Sequence, residues 1–382
     1  MTPPIEAADR VAAESWFLAH GLPAVLRPGA LVRRIWPRSA PALAGFAVLM
    51  ANSVLVVLVS GKHTIDIDGT PTRSEWFVLG LLLLVVPIAG WVGWWVSGLS
   101  QRRRSVASGV SVVVSYAGAI FGGVTAKDSV NLLMDTVVIA AIFVCTATGI
   151  GSILGWSARV TAANLASVGS LFVRALPVVL LTVLVFFNSY VWLMAALVSR
   201  ARLWVALLFL FAIAAVFLVS STLDRVNPIL DPNAKKAEDA QSLTGTPFES
   251  MPDRPRRVPL SRTERVNVAF VLGLSQIAQV LMVAAVTSSI FFVLGLILLS
   301  PELLAAWTRN GSSDGDFLGM TFPVPQSLIQ TTMFLGALTF MYISARAVGD
   351  ADQRTRFLDP LVEDLRLTMV ARDRYRTYTA AR

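Results

Sequence analysis

Residues 261–299 read SRTERVNVAFVLGLSQIAQVLMVAAVTSSIFFVLGLILL. No charged residue interrupts the run from Val266 to Leu299. Lipid offers no partner to a free backbone N–H or C=O, so a stretch of this kind is helical wherever it enters a bilayer. At 1.5 Å per residue the run measures about 51 Å, against about 30 Å of hydrocarbon. No Gly-Pro turn divides it, and its centre reads Ala284-Ala285-Val286-Thr287-Ser288. One tilted or protruding helix is therefore expected rather than two short spans. The preceding Ser261-Arg262-Thr263-Glu264 has the spacing of a capping box, which suits a helix that starts in water before it reaches the membrane.

Seven more runs approach the length of about 20 residues that a crossing needs. They are Ala42–Ser60, Trp76–Val96, Val106–Val124, Asn131–Leu154, Ala175–Leu197, Leu203–Ser221 and Gln326–Ile343. The third is the weakest, being rich in Ser and Gly. Over all 382 residues, 55% are apolar and 15% charged, with a mean hydropathy of +0.66. Those values exclude a disordered chain, a disulfide scaffold and an ordinary water-soluble globule. The single cysteine, Cys145, permits neither an internal disulfide nor a thiolate metal cluster. The expected fold is all-α: a polytopic transmembrane helix bundle of about eight spans with amphipathic helices at both ends.

Charge supplies the orientation. With the N-terminus inside and eight spans, 26 Lys/Arg fall on inner segments and six on outer ones. That asymmetry is a positive-inside signal for both termini in the cytosol. The net charge of +8 is thus a matter of topology and of contact with anionic inner-leaflet lipid, and it calls for no nucleic-acid partner. Arg102, Arg103 and Arg104, just after the face formed by Trp91, Trp94 and Trp95, are the expected lipid-headgroup contacts. Trp76, Trp156, Trp192, Trp204 and Trp307 also fall near run ends, where indole prefers the interface.

The order is a cytosolic segment 1–41, a six-span part 42–221, a linker 222–265, a two-span part 266–346 and a tail 347–382. Residues 5–20 read as a short amphipathic helix stopped by Gly21 and Pro23, suited to rest on the inner leaflet. No secretory leader precedes Ala42. The linker carries six prolines and few large apolar residues, so little fixed structure is expected there. In the tail, Asp359 and Pro360 start a helix whose stripe Leu358, Leu361, Val362, Leu365 and Met369 suits docking onto a partner or onto the protein's own inner loops. Residues 222–265 and 351–382 are therefore the expected contacts for a membrane or cytosolic protein partner. His63-Thr64-Ile65-Asp66-Ile67-Asp68-Gly69-Thr70 reads as a small outer hairpin. His63, Asp66 and Asp68 form an incomplete metal set, and Asp314-Gly315-Asp316 is a fragment of a calcium loop without its remaining ligands.

Ionisable groups at mid-depth usually mark chemistry, because placing them there is costly. The runs hold one acid, Asp135, near the outer end of the fourth, where it can reach Lys127 or water. Uncharged polar residues add Asn188 in the fifth run and the shared face of Ser275, Gln276 and Gln279 in the seventh. Asp135, Gln276, Gln279 and Asn188 are the cavity candidates. Their ordinary alternative is hydrogen bonding between helices. Gly118-x-x-x-Gly122 and Gly151-x-x-x-Gly155 allow close helix approach on adjacent spans. No Walker loop, HExxH or GxSxG motif occurs, so no catalytic residue, metal or cofactor is expected. The Trp16-Phe17-Leu18-Ala19-His20-Gly21-Leu22-Pro23 entry and the Phe357-Leu358-Asp359-Pro360-Leu361 tail resemble uncharacterised multi-span membrane proteins of actinobacteria. That resemblance covers little of the chain and implies no activity. The sequence favours a non-enzymatic plasma-membrane scaffold or regulatory component of an envelope complex. The alternative is a permease or flippase-like carrier for an apolar or lipidic substrate.

Overall fold

The computed structural model describes residues 7–26, 28–63, 65, 67, 71–123, 127–163, 183–226, 243, 245–249, 260–309, 314–317, 320–349 and 359–380. Helices dominate. In chain order they are α1 (Ala7–Ala19), a 3-10 turn (Pro23–Val25), α2 (Pro28–Val32), α3 (Ile35–Ser60), α4 (Arg73–Ser97), α5 (Gln101–Phe121), α6 (Asp128–Thr148) and α7 (Ile150–Ala163). There follow α8 (Ser189–Leu197), α9 (Arg200–Val226), α10 (Arg262–Leu298), α11 (Pro301–Thr308), β1 (Asp314–Phe317), β2 (Met320–Pro325), α12 (Gln326–Gly349) and α13 (Asp359–Ala380). Seven of them, α3, α4, α5, α6, α9, α10 and α12, are long and apolar enough to cross a membrane.

The fifth expected run is not among these. Residues 175–182 lie outside the described residues, and Asn188 breaks the remainder. Its side chain accepts from the Tyr190 N–H at 3.0 Å and starts α8, which is nine residues long. A polar residue drawn from the sequence as a mid-span group is instead an N-cap, satisfying one of the donors a helix start leaves open.

The chain divides into two compact units. One comprises Leu31–Gly151 with Gly311–Ile329. In it α3 packs along α4 and α5, and α6 packs against α3 and α5. Ser108, Ser111, Ser115, Gly118 and Gly122 form one small-residue face of α5, and the three serines are buried. A Cβ at Gly118 would lie 2.5 Å from the Met50 Cβ, and one at Gly122 would lie 2.6 Å from the Val54 N. The close approach is thus between α5 and α3. A Cβ at Gly155 would meet nothing within 4 Å, so that position is not a close helix approach. The Ser content that weakened the third run is what lets it pack. Trp36 donates to the Ser105 carbonyl at 3.0 Å, and the Ser108 hydroxyl donates to the Trp36 carbonyl at 2.7 Å.

β1 and β2 form an antiparallel hairpin with Asp316 opposite Thr321. The Thr321 N–H donates to the Ile65 carbonyl at 3.0 Å, and the Ile67 N–H donates to the Thr321 carbonyl at 3.3 Å. The segment expected to fold on itself over 63–70 is therefore joined at Ile65 and Ile67 to β2, with Thr64, Asp66 and 68–70 outside the described residues. The calcium-like fragment is β1.

The other unit comprises Met1–Ala30, Ser152–Asn310 and Gln330–Arg382. Its apolar core joins α9, α10 and α12 through Ala214, Leu218, Val280, Val283, Ala284, Phe340 and Ile343. Near the end of α10, Phe291, Phe186, Trp192 and Trp307 pack in that order, edge-on or tilted, at 5.3–5.9 Å between successive rings. Trp192 is fully buried and donates to the Phe186 carbonyl at 2.5 Å. Trp156 is buried too, beneath Gly21. These two indoles are core residues rather than interface anchors. Trp76, Trp91, Trp94, Trp95 and Trp204 are exposed, as the belt reading requires.

Candidate functional site

α10 is a single helix of 37 residues, about 55 Å long. It exceeds the hydrocarbon thickness by about 25 Å. Its start is the expected capping box: the Glu264 N–H donates to the Ser261 hydroxyl at 3.2 Å, and the Ser261 N–H donates to Glu264 Oε2 at 2.9 Å. A span ending at Leu298 would take up the helix back to about Gln279, which lies about 28 Å along the axis. Residues 262–278 of α10 are termed its head.

Three distant segments of the unit assemble on this head. Glu264, 1% exposed, accepts from Arg372 Nε at 2.9 Å and Nη2 at 2.8 Å, a bidentate fork of the strong charge-assisted kind. Arg376, one turn along α13, reaches Glu264 Oε1 at 2.9 Å. Arg372, also 1% exposed, adds a 2.7 Å bond from Nη1 to Asp373. Burial pulls the Arg372 guanidinium down, but the Glu264 and Asp373 carboxylates outweigh it and hold the group above its ordinary range. One carboxylate thus caps a helix and anchors the tail.

Aromatic packing closes the other side. Phe17 of α1 lies 5.2 Å from Phe248 and 5.5 Å from Tyr375 of α13. Arg374 donates to the Phe248 carbonyl at 3.2 Å. α1 therefore packs on protein through its buried face. Gly21, at φ +71, turns the chain beneath it, a conformation that glycine adopts without strain. Asn267 of α10 donates to the Gly21 carbonyl at 3.4 Å, and Arg159 of α7 donates to the Ala19 carbonyl at 2.8 Å. Within the expected flexible linker, Leu243 and Phe248 are buried, while 227–242 and 250–259 lie outside the described residues.

The sequence candidates distribute as follows. In α13, Leu365 and Met369 are buried, whereas Leu358 and the side chains of Leu361 and Val362 lie outside the described residues. Gln279 is buried with Nε2 lacking a hydrogen-bond partner among the described residues, and Gln276 is half-buried on the same face. Asp135 is buried in the other unit. Arg102 and Arg103 are exposed at the start of α5, and Arg104 donates to the Ser97 carbonyl at the end of α4. Among the described residues no group of three or more His, Cys, Asp or Glu is placed to hold a metal.

The Glu264–Arg372–Arg376 node was not anticipated. Its partners are 108 residues apart, and only the i, i+4 spacing of Arg372 and Arg376 beside buried Thr368, Ala371 and Tyr375 signals it.

These features define an all-α helix bundle compatible with a polytopic membrane protein, with an ordered cluster on the head of α10. Comparison with family models, with curated proteins and with solved structures gave no match.

Proposed function

We propose that the protein is a non-enzymatic plasma-membrane component, with both ends in the cytosol, that scaffolds or regulates an envelope complex. The observation that carries this reading is the head of α10, where Glu264 gathers the tail helix while α1 and Phe248 pack around it. A buried ion pair contributes little net stability over an apolar core but fixes one arrangement, which suits a platform that presents a defined surface. Exposed Arg102 and Arg103 would hold anionic headgroups at about 1 kcal/mol each. The test is the size of the particle released from native membranes by mild detergent. The reading expects an assembly larger than the chain in its micelle, lost in Arg372→Ala. A chain that runs alone in both forms would refute it.

Carriage of an apolar or lipidic substrate is the second reading, supported by the unpartnered Gln279 amide on the polar face of α10. It predicts a substrate-dependent rise in thermal stability that Gln279→Leu removes.

A further inference from the structure

The unit built on α3, α5 and α6 holds a carboxyl that the scaffold reading does not use. Asp135 is 7% exposed, and its Oδ2 has no hydrogen-bond partner among the described residues. Its Oδ2 is thus enclosed on the buried stripe of α6 that includes Asn131, Asp135 and Ile139. The Tyr116 and Thr136 hydroxyls bond at 3.1 Å and set α5 beside α6. The two helices run antiparallel, so Ser115 lies within about 3 Å of the depth of Asp135. Ser115 is fully buried, and its hydroxyl also lacks a partner among the described residues.

Polar groups lead outward from this point. Asn131, buried one turn earlier on α6, sets its amide where Gly123 has no side chain: a Cβ there would fall 1.9 Å from Nδ2. His63, exposed at the end of α3, bonds the Gly123 carbonyl through Nδ1 at 3.0 Å. The sequence His63, Gly123, Asn131, Asp135 thus steps from the surface to the buried carboxyl.

An ionised carboxylate without a partner is costly at this depth, so its charge must be neutralised. The charged groups of the packed elements do not supply this. Lys127 and Asp128 are exposed at the start of α6, and Arg38 is bound to the Thr146 carbonyl at its far end, at 3.2 Å. Arg102, Arg103 and Arg104 begin α5, at the opposite end from Ser115 and Gly118. Tyr116 is the remaining titratable neighbour, and it is engaged with Thr136. A metal ion is disfavoured as well. The helices are unbroken here and use their own carbonyls, so Asp135, Ser115 and Asn131 offer too few oxygens for the six to eight that a calcium ion takes.

We propose that Asp135 is a reversible proton-binding site enclosed by α3, α5 and α6 and reached from the His63 face. This goes beyond the scaffold reading and does not rest on it.

The test is labelling by a membrane-permeant carbodiimide, with the adduct mapped by mass spectrometry on the full-length protein in native membranes. A protonated carboxyl adds across the C=N bond, its proton going to nitrogen and its oxygen to carbon, and acyl migration then fixes a stable N-acylurea. The expected result is an adduct on Asp135 whose own yield falls at least about tenfold from acidic to alkaline pH, and which at near-neutral pH exceeds the adduct on exposed Asp128, a carboxyl already ionised there. Sodium or potassium at constant pH leaves it unchanged. Asp135→Asn loses the adduct and Asp135→Glu keeps it. If Asp135→Asn does not fold, the wild-type map decides alone. No adduct at acidic pH, a yield independent of pH, or protection by sodium or potassium would each overturn the proposal.

Discussion

Replacing Arg372 with Ala isolates the node that holds the head together. The substitution removes both forks of the Glu264 pair and the bond to Asp373. Glu264 stays buried, keeping the Ser261 N–H and the Arg376 contact at 2.9 Å. Breaking a buried pair from one side typically costs about 3–5 kcal/mol, because the remaining charge stays desolvated. Arg376 is 31% exposed along its side chain and is a weaker substitute, so the lower half of that range applies, about 3–4 kcal/mol. Every 1.4 kcal/mol is tenfold, so amide protection in α13 should fall by about two to three orders of magnitude. Hydrogen–deuterium exchange with peptide-level readout measures this. α10 beyond Gln279 should keep its protection, since its core with α9 and α12 is untouched. The double substitution Glu264→Ala with Arg372→Ala should lose less than the sum of the singles, with a coupling of about 1–3 kcal/mol. Additive losses, or α13 protection unchanged in Arg372→Ala, would refute the reasoning.

Three further outcomes follow from packing. Gly118→Val places side-chain atoms where even a Cβ would lie 2.5 Å from Met50, so it should lower the thermal midpoint and yield of the purified protein, whereas Gly80→Ala, with nothing within 4 Å, should be neutral or slightly stabilising. Trp192→Phe removes the hydrogen bond to Phe186 and leaves a cavity, costing about 1–3 kcal/mol by thermal unfolding, while Trp91→Phe on the exposed belt should have little effect. Gly21→Ala strains a φ of +71, although its Cβ would only touch Trp156 at 3.4 Å, so it should destabilise by about 1 kcal/mol, read as faster proteolysis within α1.

The long helix, its capping box and the positions of the runs other than the fifth were legible because each depends on neighbours within one or two turns. Glu264 shows where that limit lies. Its bond to Ser261 is local and was read directly, whereas its bond to Arg372 depends on a chain reversal that no periodicity encodes. Trp192 and Trp76 carry the same signal at a run end, yet one is core and one is exposed. Indole suits both places, and only the neighbours Phe186 and Phe291 separate them. The serines of α5 looked like a weakness in a span, because hydropathy counts the side chain and not the helix approach that a small one permits. Asp135 was found for the opposite reason: a single acid in an apolar run stands out by composition, while its burial needed α3 and α5 in place.

The central claim is that the head of α10 gathers both ends of the chain on one side of the membrane while the far end of α10 reaches the other. Single cysteines in a Cys145→Ser background test it, placed at exposed Ser15, Arg262 and Arg309. Applied to intact cells, an impermeant maleimide should label Arg309→Cys, and should label Ser15→Cys and Arg262→Cys only after the membrane is opened. Ser15 and Arg262 responding from opposite sides, or Arg309 responding with them, would contradict the account.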